Sequence, residues 1–560
     1  MSAGAAAPAD AALFYAPDGY DLSTPKLMGR QAAGHSFLRA VVDGRGERPV
    51  WGCAPRLDVR PAFEAQVAAI DPSAEARWCP AHRLELLERI GTLSVPGPDL
   101  GAHAGLRLRR GPAAFSICGV THTTASHRAQ DALSSLARSA LMQWDAIICT
   151  SAAVAETVRI HRAAEDEYLA WRFGAPVAAP LPQLPVIPLG IHCGDFAATA
   201  EDRAAARAAL GVAEDEVLAL YTGRLSFHAK AHPDPMYRGL EEAARRTGAK
   251  VALLQCGWFA NDGQRRAFEE TAATAAPGVR ALFSDGRDPA ARRHAWAAAD
   301  LFVSLADNIQ ETFGLTPLEA MAAGLPVVVT DWNGYRDTVR DGIDGVRVPT
   351  LMAPAESGSA LAGAYESGVA SYDRYCGLSA QLVAPDDRAL GDALAALVGD
   401  PALRRRMGDA GRARARGTFD WRVVYPRYQE LWRELAAIRA AAIARPAPAT
   451  APGRLDPLLA FAHYPTHLIG AATVVAARPR PDGADYRALA AGTFFSLAEG
   501  AFCTAPLADA FLGAAAEPLA IADLAARLGT SPEALFRPAA VLAKMGLLTL
   551  RPLEPGGTSA

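Results

Sequence analysis

Two glutamates, Glu311 and Glu319, are separated by seven residues that include a glycine and a proline. A buried strand is predicted to end near Leu305, and a helix to open at about Thr316 with Pro317 at its first position. Unpaired amides at the start of a helix form an anion site suited to a diphosphate. Those amides belong to Gly314, Leu315 and Thr316. Carboxylates beside that anion are good partners for vicinal sugar hydroxyls, so the segment predicts a site for a sugar diphosphate.

The same residues also fit a purely structural interpretation. Thr316 and Glu319 have the spacing of a capping box, in which the glutamate only satisfies helix amides. Glu311 also fits a solvated loop residue. The acidic pair alone therefore leaves both interpretations open.

A second segment brings positive charge to a strand end. Residues 220–225 end a strand, and Lys230 follows Arg224 by six positions. Two cations in one loop can neutralise a phosphate leaving group, and Gly223 lets the backbone approach a ligand closely. Only four of the 56 basic residues are lysines, so a lysine here is informative, although a pair of surface cations is the simpler alternative.

The elements that carry these residues read as two doubly wound halves. Short apolar runs alternate with helical patterns, which is typical of parallel βαβ units. We predict strands at residues 12–16, 113–120, 146–149, 185–189, 217–221, 250–255, 280–283, 301–305 and 326–329. The halves cover residues 1–200 and 201–415. Ligands of such folds bind at the carboxyl ends of the strands.

Composition excludes several classes of protein. The chain has 560 residues, 51% hydrophobic and 21% charged, with a net charge of -4, which excludes a wholly disordered chain or a global attraction to nucleic acid. We find no apolar run of 18 residues and no secretory signal. None of the eight cysteines has Cys-x-x-Cys spacing, which indicates buried free thiols and a cytoplasmic location.

The rest of the chain is organised around these halves. We predict an insertion at 351–385, a closing helix within 416–443, a linker at 444–453 and a helical, winged-helix-like appendage at 454–560. Its second helix, interrupted by Pro538, carries few cations, so we expect packing or dimerisation rather than DNA binding. The basic stretch 404–416 fits two interpretations: a solvated helix face, or peripheral contact with the inner face of the membrane.

Together these motifs resemble glycosyltransferase family 4, which has the GT-B fold. Glu311 and Glu319 match its E-x7-E spacing, and the segment Gly223–Leu225 with Lys230 matches its Gly-Arg-Leu…Lys element. Residues 186–191 resemble its inter-domain signature, and residues 419–421 the start of its closing helix. The resemblance spans about residues 12–440. It implies two Rossmann-like domains facing a cleft.

The resemblance also implies roles for individual residues. Arg224 and Lys230 would hold the donor diphosphate, Glu319 the ribose and Glu311 the transferred sugar. His122 would lie beside that sugar, and His127 and His228 are lesser candidates. Donor contacts would further come from Gly314, Leu315 and Gly223, and from Gly29 and Gly34 in a loop near the phosphates. Ser284 and Asp285 lie where the family binds the base of the donor.

The implied activity is retaining transfer from a UDP- or GDP-sugar to a saccharide or lipid-linked acceptor. No carboxylate is placed as a nucleophile, so positioning and electrostatics would carry the reaction. The sequence has no Asp-x-Asp, so we expect no metal and no cofactor. The alternative is a degenerate scaffold or sugar-sensing protein that acts through its C-terminal module. The segment Gly29–Ser36 has the glycine spacing of a P-loop but lacks its lysine, so we exclude a P-loop NTPase.

Overall fold

A computed structural model describes residues 11–21, 29–443 and 446–551. The chain divides into two compact units at residues 451 and 452. The first unit contains two parallel sheets, and the second contains a small antiparallel sheet with helices. The predicted fold class is confirmed: there are two Rossmann-like domains, as in the GT-B fold, and a helical C-terminal region.

The first domain is a six-stranded parallel sheet with the order β3-β2-β1-β4-β5-β6. Its strands are β1 (Ala12–Phe14), β2 (Val50–Ala54), β3 (Ala76–Pro80), β4 (Thr92–Val95), β5 (Ser116–Val120) and β6 (Ala146–Ile148). Its helices are α1 (Gly29–Gly44), α2 (Arg60–Ile70), α3 (Leu84–Ile90), α4 (Gly101–Arg107), α5 (His127–Leu133) and α6 (Ala152–Phe173). The predicted strand at 185–189 is wrong, because that segment forms only an isolated bridge to Cys149.

The second domain repeats this architecture with the order β12-β11-β10-β7-β8-β9. Its strands are β7 (Val217–Arg224), β8 (Val251–Trp258), β9 (Val279–Asp285), β10 (Leu301–Ser304), β11 (Val327–Thr330) and β12 (Gly345–Val348). Its helices are α7 (Ala200–Leu210), α8 (Asp234–Thr247), α9 (Asp262–Ala275), α10 (Pro289–Ala298), α11 (Leu315–Ala323) and α12 (Tyr335–Thr338). In both sheets the strand order reverses beside the first strand, which creates a crevice there.

An excursion follows the second sheet, and we call residues 351–385 the insertion. It pairs two short antiparallel strands and holds two helices between them. These elements are β13 (Thr350–Met352), α13 (Ser359–Glu366), α14 (Tyr372–Ala380) and β14 (Val383–Pro385). Two further helices, α15 (Asp387–Gly399) and α16 (Pro401–Arg414), complete the domain.

The basic stretch 404–416 is partly used inside the fold. Arg404 donates to the carbonyls of Leu397 and Val398, and Arg412 donates to the carbonyl of Ala323. These carbonyls lie at helix ends, where cations are favourable partners. Part of this charge therefore stabilises helix ends of the second domain.

Helix α17 (Trp421–Ala440) returns to the first domain and packs into its core. Its aromatic face is buried, with Trp432 only 1% exposed. Glycines allow the close approach: a Cβ on Gly44 would lie 2.4 Å from the Tyr425 ring, and one on Gly190 2.4 Å from the Trp421 ring. The helix thus joins the end of the second domain to the core of the first.

The second unit contains more than helices. Its strands β15 (Val474–Ala477), β16 (Leu519–Ala520) and β17 (Leu548–Arg551) pair antiparallel in the order β16-β15-β17. Its helices are α18 (Pro457–Ala460), α19 (Tyr486–Ala490), α20 (Ala505–Ala514), α21 (Ile521–Leu528) and α22 (Pro532–Lys544). The predicted interruption at Pro538 is wrong: α22 continues through this buried proline, because the packed apolar face outweighs one lost backbone hydrogen bond.

All eight cysteines are buried and form no disulfide bond. In the ranges that the structure describes, no helix is both long and apolar enough to cross a membrane.

Candidate functional site

The carboxyl ends of β7, β8 and β9 form a surface of bare backbone. A Cβ on Gly257 would lie 1.9 Å from the carbonyl oxygen of Gly223, and one on Gly286 would lie 2.9 Å from the Cα of Gly257. Gly223 also has a φ of +139°, which side chains rarely adopt. Glycine at these three positions therefore lets neighbouring strand ends meet closely and leaves their backbone open to a ligand.

Lys230 and Glu311 meet at this edge. The Nζ of Lys230 lies 3.1 Å from Oε2 of Glu311, and their side chains are 33% and 14% exposed. Asn308 fixes the two loops together: its side chain donates to the carbonyl of His228, and its own carbonyl accepts from the indole of Trp332. A pair of this kind is partly desolvated yet still reachable from the cleft.

The charge of Glu311 depends on this pairing. Burial alone would raise the pKa of Glu311, but Lys230 and the backbone amides of Phe313 and Thr312 outweigh it and hold the pKa below its ordinary value. The side-chain amide of Asn333, a residue with a φ of +46°, donates to the Glu311 carbonyl. Glu311 is therefore an ionised, firmly held carboxylate.

Helix α11 begins earlier than predicted, and this excludes the capping box. The helix starts at Leu315, its N-cap is Gly314 with a φ of +87°, and no side chain caps it. A Cβ on Gly314 would lie 2.0 Å from the Tyr335 ring, so glycine is required for both reasons. Pro317 then occupies the third position, where it costs no helical hydrogen bond. The predicted amides of Gly314, Leu315 and Thr316 remain free of side-chain caps.

Glu319 is left without a structural partner. Among the described residues no group hydrogen-bonds its carboxylate. Burial raises its pKa to about 7, although Arg292 and Lys230 oppose this shift. A half-buried carboxyl with no partner of its own is suited to receiving hydroxyls from a ligand.

The guanidinium of Arg224 has one hydrogen-bond partner in the part of the chain that the structure describes. Its Nη2 donates to Oε1 of Gln310 at 2.9 Å. Gln310 is neutral and directly precedes Glu311 in the chain. The structure thus brings Arg224, Lys230, Glu311 and Glu319 to one edge of the second sheet.

The predicted base-binding residues lie at the end of β9. Asp285 pairs with Arg287 at 2.7 Å, and both side chains are about half exposed. Ser284 is half-buried and stands opposite Cys256 of β8. Asp285 is therefore committed to a local turn, whereas Ser284 keeps its place beside the glycine surface.

The glycines of the first domain do not form a loop, and that prediction is wrong. Gly29 is the first residue of α1, and Gly34 lies in its second turn. A Cβ on Gly34 would lie 2.1 Å from the carbonyl oxygen of Gly19, so this glycine serves close packing. The preceding residues 22–28 lie outside the described residues.

His122 follows β5 and touches the glutamate loop through its backbone. Its carbonyl accepts a hydrogen bond from the Thr312 hydroxyl at 3.2 Å, and the Ser151 hydroxyl donates to the Thr312 carbonyl at 2.8 Å. His122 also lines a small apolar cavity with Phe37 and Trp421. The first domain therefore contacts the loop that carries Glu311.

The two lesser histidine candidates are engaged elsewhere. The His127 ring stacks on Tyr365 with centroids 3.6 Å apart, and both ring nitrogens of His228 lie within 3.4 Å of the Ser226 hydroxyl. Over residues 11–21, 29–443 and 446–551 there is no group of three or more His, Cys, Asp or Glu side chains placed to hold a metal ion.

Sequence reasoning missed the neutral residues that hold this site. Asn308, Gln310 and Asn333 form hydrogen bonds to the site loops, and Tyr372 comes from the insertion. Gln310 adjoins Glu311, which is a usable signal. Nothing local marks Tyr372, because its partners are distant in the chain.

Residues 202–366 match the family model for glycosyl transferases group 1. A D-inositol 3-phosphate glycosyltransferase of Nocardia farcinica is 37% identical over 150 residues, covering 26% of this chain and 32% of the relative. One from Kineococcus radiotolerans is 30% identical over 274 residues, covering 46% and 53%. The chain thus spans about a third to a half of the length of these curated relatives.

A phosphatidyl-myo-inositol mannosyltransferase of Mycobacterium leprae is 33% identical over 150 residues, covering 27% of this chain and 30% of the relative. Among solved structures, Anabaena HepE in complex with UDP and glucose covers 73% of this chain and 97% of its own, at 17% identity and a TM-score of 0.47. At that score the fold assignment rests on the strand order of the two sheets.

Proposed function

We propose that this protein is a glycosyltransferase that moves a hexosyl group from a nucleotide-sugar donor to an acceptor. The observation that carries the proposal is the meeting of the Lys230–Glu311 pair with Arg224 and the unpartnered Glu319 at one sheet edge. The match of residues 202–366 to glycosyl transferases group 1 supports it.

The donor diphosphate fits the cations and free amides of this edge. Arg224 and Lys230 would neutralise the departing nucleoside diphosphate, and the amides of Gly314 and Leu315 would bind its oxygens. The Glu319 carboxylate would accept hydrogen bonds from the ribose hydroxyls, as expected of family 4. Protein cations thus supply the charge that a metal supplies elsewhere, and we expect no cofactor.

The reaction we propose is retaining. The bond between the anomeric carbon and the diphosphate oxygen breaks, and the acceptor oxygen bonds to that carbon from the same face. The acceptor proton passes to the leaving diphosphate oxygen, so no protein nucleophile is needed. Glu311 holds the sugar hydroxyls, and positioning supplies much of the rate enhancement.

The acceptor would bind on the first-domain side, beside His122. We infer a saccharide or lipid-linked acceptor. The relatives named above support an acceptor rich in hydroxyls, because their names specify inositol-containing compounds.

Thermal denaturation with UDP, GDP, ADP and their sugar conjugates tests the donor site. A ligand of the folded state raises the melting temperature, and we expect one base to be preferred. Arg224→Ala should lose most of that shift, and EDTA should leave transfer unchanged. No shift with any nucleotide would favour the degenerate scaffold, and loss of transfer in EDTA would refute a metal-free site.

We also propose that the C-terminal unit is a winged-helix-like module through which the protein dimerises. Helices α21 and α22 flank the turn at Gly529, and β17 follows them. Phe494 and Leu497 of this unit are 92% and 86% exposed. We expect a dimer of the full chain that dissociates in the double variant Phe494→Ser, Leu497→Ser. Sedimentation analysis checks this, and a wild-type monomer would refute it.

The buried cysteines form no disulfide bonds, which supports a cytoplasmic location. Peripheral contact with the inner face of the membrane is compatible with that location.

A further inference from the structure

The insertion reaches from the second domain to the first. The Tyr365 hydroxyl accepts a hydrogen bond from the backbone amide of His127 at 3.0 Å, and the two rings stack. The ring of Tyr375 also stacks on the ring of Tyr365, with centroids 4.5 Å apart. Aromatic contacts thus hold the insertion against the start of α5.

A second contact of the insertion leads to the phosphate-binding side of the cleft. Nε2 of Gln310 donates to the hydroxyl of Tyr372 at 3.2 Å, and that hydroxyl lies 3.3 Å from Oγ1 of Thr123. Because Arg224 offers only donors, its bond fixes the oxygen of the Gln310 amide toward it and leaves the nitrogen for Tyr372. The four side chains therefore form one continuous chain across the cleft.

This chain of hydrogen bonds holds the side chain of Arg224 without neutralising its charge. Lys230 is paired with a carboxylate, whereas the only side-chain hydrogen bond of Arg224 in the described ranges goes to a neutral amide. A long guanidinium side chain otherwise loses rotamer freedom when it binds an anion. Anchoring one edge of Arg224 reduces that loss and leaves its other donors and its full charge for a phosphate.

The position of Tyr372 is fixed by close packing. A Cβ on Gly377 of α14 would lie 2.8 Å from the Cβ of His228, so this helix sits directly against the loop that carries Lys230. Burial raises the pKa of Tyr372 above its ordinary value, so its hydroxyl keeps its proton at neutral pH. The oxygen accepts from Gln310, and the hydroxyl also contacts Thr123 and the thiol of Cys376.

We propose that Tyr372 is a positioning residue which, through Gln310, orients Arg224 for the diphosphate of the donor and couples that grip to contact with Thr123 of the first domain. The inference rests on the proposed function. It adds a specificity for the diphosphate over the bare nucleoside that depends on the insertion.

Nucleotide affinity of the full chain tests this directly. We would titrate wild type, Tyr372→Phe and Tyr365→Phe with UDP, GDP and ADP, and with uridine, guanosine and adenosine, which carry no phosphate. Tyr372→Phe should weaken binding of the preferred diphosphate about three- to tenfold and leave nucleoside binding unchanged. Tyr365→Phe removes the other cross-domain hydroxyl of the insertion and should leave both affinities unchanged.

Two further variants keep the test decisive. Thr123→Val removes the first-domain end of the hydrogen-bond chain without changing α14. It should also weaken diphosphate binding, so it tests the proposal even if Tyr372→Phe fails to fold. In an Arg224→Ala background, Tyr372→Phe should have no further effect.

The outcomes separate the two proposals. Equal loss in Tyr365→Phe and Tyr372→Phe, or a Tyr372→Phe variant with the wild-type ratio of diphosphate to nucleoside affinity, would overturn the positioning role while nucleotide binding stands. Wild type that binds neither UDP, GDP nor ADP would instead overturn the proposed function itself.

Discussion

The two Rossmann-like domains share one strand order but differ at the edges that face the cleft. The edge of the second sheet carries a glycine surface, the Lys230–Glu311 pair and the unpartnered Glu319. The edge of the first sheet borders an apolar cavity lined by Phe37 and Trp421. The common topology sets where a ligand binds, and the loops after the strands set what binds there.

The ion pairs of the two domains differ in the same way. In the first domain, Arg107 and Asp145 are both fully buried and paired through two hydrogen bonds of 2.6 and 2.7 Å. Asp145 also accepts from the backbone amides of Ile117 and Met142, so it has no capacity left for a ligand. The pair in the second domain stays open to the cleft. The first pair is built for structure, and we propose that the second serves binding.

Removing the buried cation should have the largest effect. Arg107→Ala leaves the Asp145 carboxylate buried without its partner, which destabilises a protein by about 3–5 kcal/mol. Urea denaturation followed by circular dichroism checks this, with Arg110→Ala, whose pairing with Glu88 is exposed, as the matched control. An unchanged midpoint in Arg107→Ala would remove the contrast between the two pairs.

Removing the cleft lysine should instead affect turnover. Lys230→Ala should lower turnover by about 10²- to 10³-fold, because a cation that stabilises the leaving diphosphate is lost. The pKa of Glu311 should rise, since burial is then no longer opposed by Lys230. The measurement is initial rate against pH with the preferred donor.

Lys250→Ala is the control for this variant. Lys250 pairs with Asp215 at 2.8 Å on the exposed surface of the same domain. Exposed pairs contribute little, so both rate and stability should stay near wild type. Wild-type turnover in Lys230→Ala would break the assignment of this edge to donor binding.

Glu319→Gln should separate stability from binding. The folded-state pKa of about 7 lies above the ordinary 4.5, so the folded protein binds more protons between those values. The contribution of Glu319 to stability should therefore be largest below its ordinary pKa of 4.5 and fall by about 1–2 kcal/mol as the pH rises to 7, and the glutamine variant should lose this part of the pH dependence. Melting temperatures of ligand-free protein from pH 5 to 8.5 check the sign.

The same variant should bind the nucleoside diphosphate about tenfold more weakly at pH 8, because charge-assisted hydrogen bonds to the ribose are lost. A Glu319→Gln protein with wild-type affinity would remove the ribose role while leaving the stability result intact.

Asp285→Asn should have the smallest effect. Asp285 pairs with Arg287 on an exposed turn, so its loss should change nucleotide affinity less than about twofold. Isothermal titration with UDP and GDP checks this. A loss of tenfold or more would return Asp285 to the base-binding role that its sequence position predicted.

Local patterns predicted part of the fold well and part of it poorly. Strands β1, β5, β6 and β7 to β11 follow clear apolar runs, and the prediction located them within a few residues. Strands β2, β3, β4 and β12 were missed, because each has only four or five residues and polar residues, glycine or proline interrupt its apolar run. The segment 185–189 has apolar residues, but two prolines deprive it of ladder donors.

The sequence by itself determined the residue types that donor chemistry needs and their order along the chain. Glu311, Gly314 and Glu319 lie within nine residues, so one loop and one helix place them. Tertiary structure alone decided that Gly34 packs inside a helix, and that Gln310, Tyr372 and Thr123 meet. Thr123 and Tyr372 are 249 residues apart, and no local pattern encodes a contact whose geometry comes from packing one domain against another.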